Sequence, residues 1–409
     1  MLKGAAVIGQ SGGPTAAINA TLAGVIKGCL AESDVITKVY GMKNGIEGFI
    51  NETLIDLSDR FGGEKAADLD ILSATPAAAL GSCRKKLPKP EDDKEFFDNL
   101  VSLFRKYDIR YFFYIGGNDS MDTVAKLTKY LETADYEMRV MGVPKTIDDD
   151  LQGTDHTPGY GSAAKYIAAT MSEIIRDCAV YTIPAVTIVE IMGRDAGWLT
   201  AAAALPRIVS GQAPDLVYLP EVNFDTNDFL NKVRECLGKH PNVVIAVSEG
   251  IHNADGRYVG EGTQSGVADV FGHKYLSGTG KCLEEIVKAE IGCKVRSVEL
   301  NISQRCAAHL RSETDISESL GVGAAAANAA VNGTSGCMMA MDRAEGKYEI
   351  SFNAKPVCEI ANKVKEVPIQ YITDDGSNVT DECLEYILPM ILGEARNYYK
   401  DGLPVHIIL

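Results

Sequence analysis

The chain has 409 residues, of which 46% are hydrophobic and 23% charged, and a formal net charge of −16. That length suggests two or three domains, since one core rarely grows past ~250–300 residues. No stretch reaches the ~18 uncharged apolar residues of a membrane span and no basic run forms a nucleic-acid stripe, which sets aside membrane and nucleic-acid roles. Ten cysteines lie scattered without a CxxC pair, and Met1-Leu2-Lys3-Gly4 opens no signal peptide, which predicts reduced thiols in a cytoplasm, each a small buried side chain.

The first apolar run, residues 5–8, reads as a strand followed by a helix over 15–30. Between them, Gly9-Gln10-Ser11-Gly12-Gly13-Pro14-Thr15 sets bare amides at a positive helix end, where they either cradle a phosphate or simply turn the chain. The turn has neither the Lys and spacing of a Walker loop nor a GxGxxG pattern. Farther on, Arg84-Lys85-Lys86 is either a contact for a donor phosphate or a solvated turn.

A strand over 111–115 and a helix over 121–131 flank Gly116-Gly117-Asn118-Asp119-Ser120, which adds a carboxylate and a hydroxyl to the same kind of turn; the alternative is that Asp119 or Ser120 caps the helix. A strand over 139–143 and a helix over 162–175 bracket Pro144-Lys145-Thr146-Ile147-Asp148-Asp149-Asp150. Three consecutive acids cannot share one helix face, and they repel one another unless a cation or metal neutralises them. Phosphoryl transfer to an alcohol needs a carboxylate at the attacking hydroxyl and positive charge on the moving group, and Lys145 beside the Asp triplet supplies both kinds. An exposed acidic turn is the plainer alternative.

The strand over 185–191 leads into Met192-Gly193-Arg194-Asp195-Ala196-Gly197 and a helix over 198–205. Arg194 either binds a phosphate bidentately or pairs with Asp195 to close the turn. After a helix over 228–237 and a strand over 243–247, Ser248-Glu249-Gly250 offers Glu249 to sugar hydroxyls or to a cap. Arg296 and Arg305 flank the apolar stretch 295–302, with solvation as their default role.

These apolar runs are continuous rather than alternating, as in parallel strands covered on both faces, so the fold class is doubly wound α/β with more than one sheet. Ligands in such sheets sit beyond the carboxyl ends of the strands. The turns after Ile8, Ile115, Val143, Ile191 and Val247 are therefore expected to face one cleft. Composition marks no domain boundary.

In order along the chain, Gly9-Gln10-Ser11-Gly12-Gly13-Pro14, Gly116-Gly117-Asn118-Asp119-Ser120, Pro144-Lys145-Thr146-Ile147-Asp148, Gly153-Thr154-Asp155 and Met192-Gly193-Arg194 resemble the phosphofructokinase family, and its pyrophosphate-dependent branch in particular. The resemblance implies two doubly wound α/β domains with mainly parallel sheets around a cleft. Residues 1–158 with about 304–355 would bind the pyrophosphate donor, and 159–303 with about 356–409 the sugar phosphate. It implies Mg2+-dependent, reversible phosphorylation of fructose 6-phosphate at its 1-hydroxyl, in glycolysis or gluconeogenesis. Asp148 would then be the base, flanked by Thr146, Ile147 and Asp150. Met192, Gly193, Arg194 and Glu249 would hold the sugar phosphate, Gly12 and Arg84 the donor, and position 118 the magnesium.

Asp119 and Lys145 stand where the ATP-using branch of the family has Gly. An Asp119 carboxylate would fill and repel the nucleotide α-phosphate site, while Lys145 suits the smaller pyrophosphate. ATP use, or a non-catalytic sugar-phosphate-binding subunit, are the alternatives; a subunit without catalysis has little reason to keep Lys145, Asp148 and Asp150 together. The chain departs from the family's pattern at Asn118, where Asp is usual, at Asp149, an added charge expected to compensate near the metal, and at Ile302, where the ATP-using branch has His. The resemblance also implies a homodimer or homotetramer in which Arg296 and Arg305 serve a neighbouring subunit's sugar phosphate.

Overall fold

The computed structural model describes residues 2–261 and 278–409. Eleven strands form its two main sheets: β1 Gly4–Gln10, β2 Ile36–Met42, β3 Leu54–Asp56, β4 Ile109–Gly116, β5 Arg139–Pro144, β6 Ala185–Ile191, β7 Leu216–Tyr218, β8 Asn242–Ser248, β9 Lys294–Glu299, β10 Cys337–Arg343 and β11 Ile350–Pro356. The larger sheet has seven strands in the order β11-β10-β5-β4-β1-β2-β3, and the smaller has four, β7-β8-β6-β9. The β10–β5–β4–β1–β2 pairings are parallel, and antiparallel β11 and β3 close the edges. All three pairings of the smaller sheet are parallel.

The packing explains the continuous apolar runs. In β4, Tyr111, Phe113 and Ile115 enter the core on one face while Phe112 and Tyr114 enter the core on the other. In β8, Val244 and Ala246 face one core and Val243, Ile245 and Val247 the opposite one. A strand with two buried faces has no polar side to alternate with.

The helices expected over 15–30, 121–131, 162–175 and 228–237 are found as Ile18–Ala31, Asn118–Leu131, Tyr160–Cys178 and Thr226–Lys239. The helix expected over 198–205 is corrected: it breaks into Trp198–Ala201, a 3-10 turn Ala202–Ala204 and Pro206–Ser210, because Pro206 removes a backbone donor. The thiols also need correction. All ten are free, yet only Cys29, Cys83, Cys236 and Cys383 are buried, and Cys306 and Cys358 are exposed. Among the described residues no helix is long and apolar enough to cross a membrane.

The helix Ile18–Ala31 packs against Glu313–Val331 at glycine-lined contact. A Cβ on Gly24 would lie 2.2 Å from the Leu320 carbonyl oxygen, and one on Gly323 would lie 2.4 Å from that of Thr21. Gly24→Ala gains ~1 kcal/mol of helix propensity but drives a methyl into backbone, at a cost of ~1–3 kcal/mol or more. The expected outcome is a lower thermal unfolding midpoint; an unchanged or higher midpoint would show that the two helices can separate freely.

Candidate active site

One cleft of about 430 Å³ gathers the ends of both sheets. Residues 12–15 after β1, 117–120 after β4, 145–148 and Asp150 after β5, Met192 and 194–196 after β6 and Glu249 after β8 contribute to its lining, so the five turns meet as the strand order requires. Arg84, Lys86 and Arg305 enter from other segments, and Asn362 and Val364 close one side. Among the described residues the lining carries five cations (Arg84, Lys86, Lys145, Arg194, Arg305) and five carboxylates (Asp119, Asp148, Asp150, Asp195, Glu249). That local balance lets an anion approach a chain whose net charge is −16.

The floor is the loop after β5. Lys145 is 2% exposed; its amide donates to the Gly116 carbonyl at 3.1 Å and its Nζ to the Gly13 carbonyl at 2.5 Å. Gly12, beside that Nζ, has φ +77°, a left-handed backbone that glycine adopts without strain. Thr146 Oγ1 accepts from the Asp148 amide at 3.1 Å, and the Thr146 carbonyl accepts from Thr157 Oγ1 at 2.8 Å. Asp149 takes a left-handed turn, φ +55°. Its side chain thereby leaves the cleft lined by Asp148 and Asp150.

Burial sets the protonation states. It pushes the Asp148 carboxyl up to about 7, helped by the Asp150 and Asp195 charges and opposed by Arg194 and Lys145. It likewise raises Asp150 and lifts Glu249 to about 8, where the Asp148 charge adds to the effect. Burial lowers Lys145 to about 8 against the attraction of Asp148 and Asp150. Burial thus favours the neutral forms, and the site's opposite charges hold them back only in part.

The expected residues divide as follows. Gly12, Arg84, Asn118, Asp119, Lys145, Thr146, Ile147, Asp148, Asp150, Met192, Arg194, Glu249 and Arg305 line this one cleft. Gly193 stands just behind, its amide donating to Glu249 Oε1 at 3.4 Å. Gly12 offers its surface rather than its N–H, which donates to the Cys83 carbonyl at 3.2 Å. Neither Asp119 nor Ser120 caps the helix: Gly117 occupies that position and no side chain caps it. Asp119 instead faces Lys86, 3.5 Å from its Nζ. Among the described residues Arg194 makes no ion pair with Asp195, and the Nε atoms of Arg194 and Arg305 are buried without a hydrogen-bond partner. Asn118 Nδ2 donates to the Lys363 carbonyl at 2.9 Å, while its Oδ1 is buried and unpartnered.

Two expectations change. Arg305 shares the cleft with Asp148 of its own chain, so it is not a cation lent to a neighbour. Asp149 adds no charge at the metal position, being fully buried and paired with Lys365 Nζ at 2.7 Å. Ile302 is 59% exposed and outside the cleft lining. Arg296, on the edge strand β9, is exposed and also outside that lining. Reading the sequence left out Lys86, Asp195, Asn362 and Val364; the run 84–86 pointed to the first and the motif 192–197 to the second, whereas nothing marked the other two.

A family model described as Phosphofructokinase matches residues 5–328. The chain is 40% identical over 398 residues to the pyrophosphate–fructose 6-phosphate 1-phosphotransferase of Halomonas elongata, covering 97% of this chain and 93% of that relative. It is 39% identical over 404 residues to the protein of the same description from Methylococcus capsulatus, covering 98% and 94%. The crystal structure of pyrophosphate-dependent phosphofructokinase from Nitrosospira multiformis matches with a TM-score of 0.88 at 37% identity, covering 100% of this chain and 96% of that one.

The raised carboxyl of Asp148 makes a stability prediction. Its folded value, about 7, lies above the ordinary 3.8, so folding favours the protonated form, and stability is lost as pH rises from about 4 to about 7, with the full cost present above that. Asp148→Asn removes that cost, with an upper bound of ~4 kcal/mol. In metal-free buffer the variant should melt above the parent at pH 8, and the gap should shrink at pH 5. A variant that melts below the parent at pH 8 would show that the carboxylate stabilises the fold.

Proposed function

The chain belongs to the phosphofructokinase family, and on that premise we propose that it transfers a phosphoryl group from pyrophosphate to the 1-hydroxyl of fructose 6-phosphate, giving fructose 1,6-bisphosphate and phosphate, reversibly. The observation that carries this reading is a buried lysine, Lys145, set on one loop with Asp148 at the floor of a cleft that Asp119 also lines.

Asp148, once ionised, accepts the proton of the sugar hydroxyl, and its raised affinity for protons suits a base working near neutral pH. As the hydroxyl oxygen forms its bond to phosphorus, the bridging P–O bond of pyrophosphate breaks and phosphate leaves. Lys145 offsets the charge on the moving group, for which its lowered value of about 8 still leaves it largely protonated at pH 7. Arg194 and Arg305, both in the cleft lining, offer their guanidinium groups to the sugar phosphate. Asp119 opposes a nucleotide by bulk and by charge.

Magnesium fits the donor set, which is all oxygen: the orphaned Asn118 Oδ1 with Asp119, Asp148 and Asp150 nearby in the lining. Among the described residues no three acids, histidines or cysteines gather to hold an ion alone, as suits a metal completed by substrate phosphates and water. When bound, it would neutralise phosphate charge. We assign the donor to the loops of the seven-stranded sheet and the sugar phosphate to those of the four-stranded sheet. Arg296, exposed at a sheet edge, serves a neighbouring copy in a homodimer or homotetramer. Ten free thiols suit a cytoplasmic setting.

With fructose 6-phosphate and magnesium, a coupled assay should give far faster turnover with pyrophosphate than with ATP, and Asp119→Gly should narrow the gap. Equal or faster turnover with ATP in the parent would refute the donor assignment. For the shared site, Arg296→Ala and Asp148→Asn should each cut turnover by roughly 10²-fold or more, as loss of a phosphate anchor or a base does. Co-refolded mixtures should recover part of it through one intact site in each hybrid. Demonstrated hybrids without recovery would return Arg296 to a solvated surface role.

A further inference from the structure

The family model ends at residue 328, but the cleft does not. A later segment, residues 362–368, crosses it and touches both halves. Asn118 Nδ2 donates to the Lys363 carbonyl, Gln152 Nε2 to the Val364 carbonyl at 2.8 Å, and the Val367 amide to Glu221 Oε1 at 2.9 Å. Lys365 is the centre of these contacts. Its amide donates to the Asp150 carbonyl at 2.9 Å, its Nζ lies 2.7 Å from Asp149 Oδ2 and 2.5 Å from the Asp155 carbonyl, and its own carbonyl accepts from Trp198 Nε1 at 3.1 Å. The same Nζ stands 4.9 Å from the centre of the Trp198 ring.

We infer that Lys365 is a positioning residue for the phosphoryl transfer proposed above: by pairing with Asp149 it holds the 148–150 turn in the shape that sends Asp148 and Asp150 into the cleft, and ties that turn to the loop bearing Arg194. The inference rests on that functional reading. Asp149 has a positive φ, which few non-glycine residues adopt, and its carboxylate is fully buried. A buried charge of this kind persists only when paired. Thr157 Oγ1, at 3.3 Å, is a weak and neutral second partner, so the ammonium is what keeps Asp149 turned inward. Were Asp149 to swing out, the backbone between Asp148 and Asp150 would turn with it. On the far side, Trp198 begins the helix that follows the 192–197 loop, so one side chain links base and sugar-phosphate anchor.

Lys365→Met and the double variant Asp149→Asn/Lys365→Met separate positioning from mere stabilisation. Steady-state kinetics with fructose 6-phosphate and pyrophosphate are measured on folded protein, together with amide hydrogen exchange of a peptide covering 145–152. Lys365→Met should lower kcat at least tenfold, leave the pyrophosphate KM within threefold and speed exchange in that peptide at least tenfold. The double variant, with no stranded carboxylate and an Asn that tolerates positive φ, should fall between parent and single variant in both readouts. A folded Lys365→Met with kcat and exchange within twofold of the parent, or a double variant no better than the single one, would overturn the inference. If Lys365→Met does not fold, the double variant decides: kcat and exchange within twofold of the parent refute the clamp, and threefold or larger changes in both support it. A parent enzyme with no pyrophosphate-dependent turnover would defeat the functional reading instead, and loop exchange would still report whether Lys365 holds the turn.

Discussion

Three consecutive carboxylates, Asp148 to Asp150, have to leave water within a single turn of backbone, and much of the site follows from how their repulsion is managed. A regular helix or strand would keep at least two of them close with no separate outlets. The left-handed Asp149 divides them, one acid buried against Lys365 and two lining the cleft. Lys145, at the head of the same loop, stands under the two that remain. The pair therefore keeps raised proton affinities, because its compensation is partial and comes from groups that also face a ligand.

The rest of the architecture delivers complementary charge to that turn. Two parallel sheets end at the cleft, so their loops bring glycine-rich backbone from one side and Arg194 with Glu249 from the other. Gly12 and Gly13 lie beside the Lys145 and Arg305 side chains, and Gly117 beside the Lys145–Thr146 backbone. Cations gathered here offset the acidity of the chain as a whole. In a cleft partly screened from water, such placement counts for more than the net charge does.

Much of this was legible in the sequence because parallel strands covered on both faces leave continuous apolar runs, and the turns that follow them carry the chemistry. β1, β4, β5, β6 and β8 were readable for that reason, and their turns meet in one place. The strands missed were mainly those at edges or with polar interruptions: β2 is broken by Thr37 and Lys38, and β11 alternates as an antiparallel edge does. Asn362, Val364 and Lys365 had no local signal. They lie in a stretch without long regular structure, and their importance comes from long-range contacts that no spacing rule encodes. The placement of Arg305 was misjudged for a related reason: sequence showed its neighbours along the chain, whereas the fold sets it opposite Gly13.

The central claim is that burial and mutual repulsion hold the Asp148 carboxyl far above the ordinary carboxylate range. Carbon-13 NMR of ligand-free, metal-free protein labelled at aspartate carboxyls, compared with Asp148→Asn to identify the missing resonance, reads that directly. The account predicts a midpoint for this resonance near pH 7. A midpoint at or below ~4, the value of an unperturbed aspartate, would contradict it.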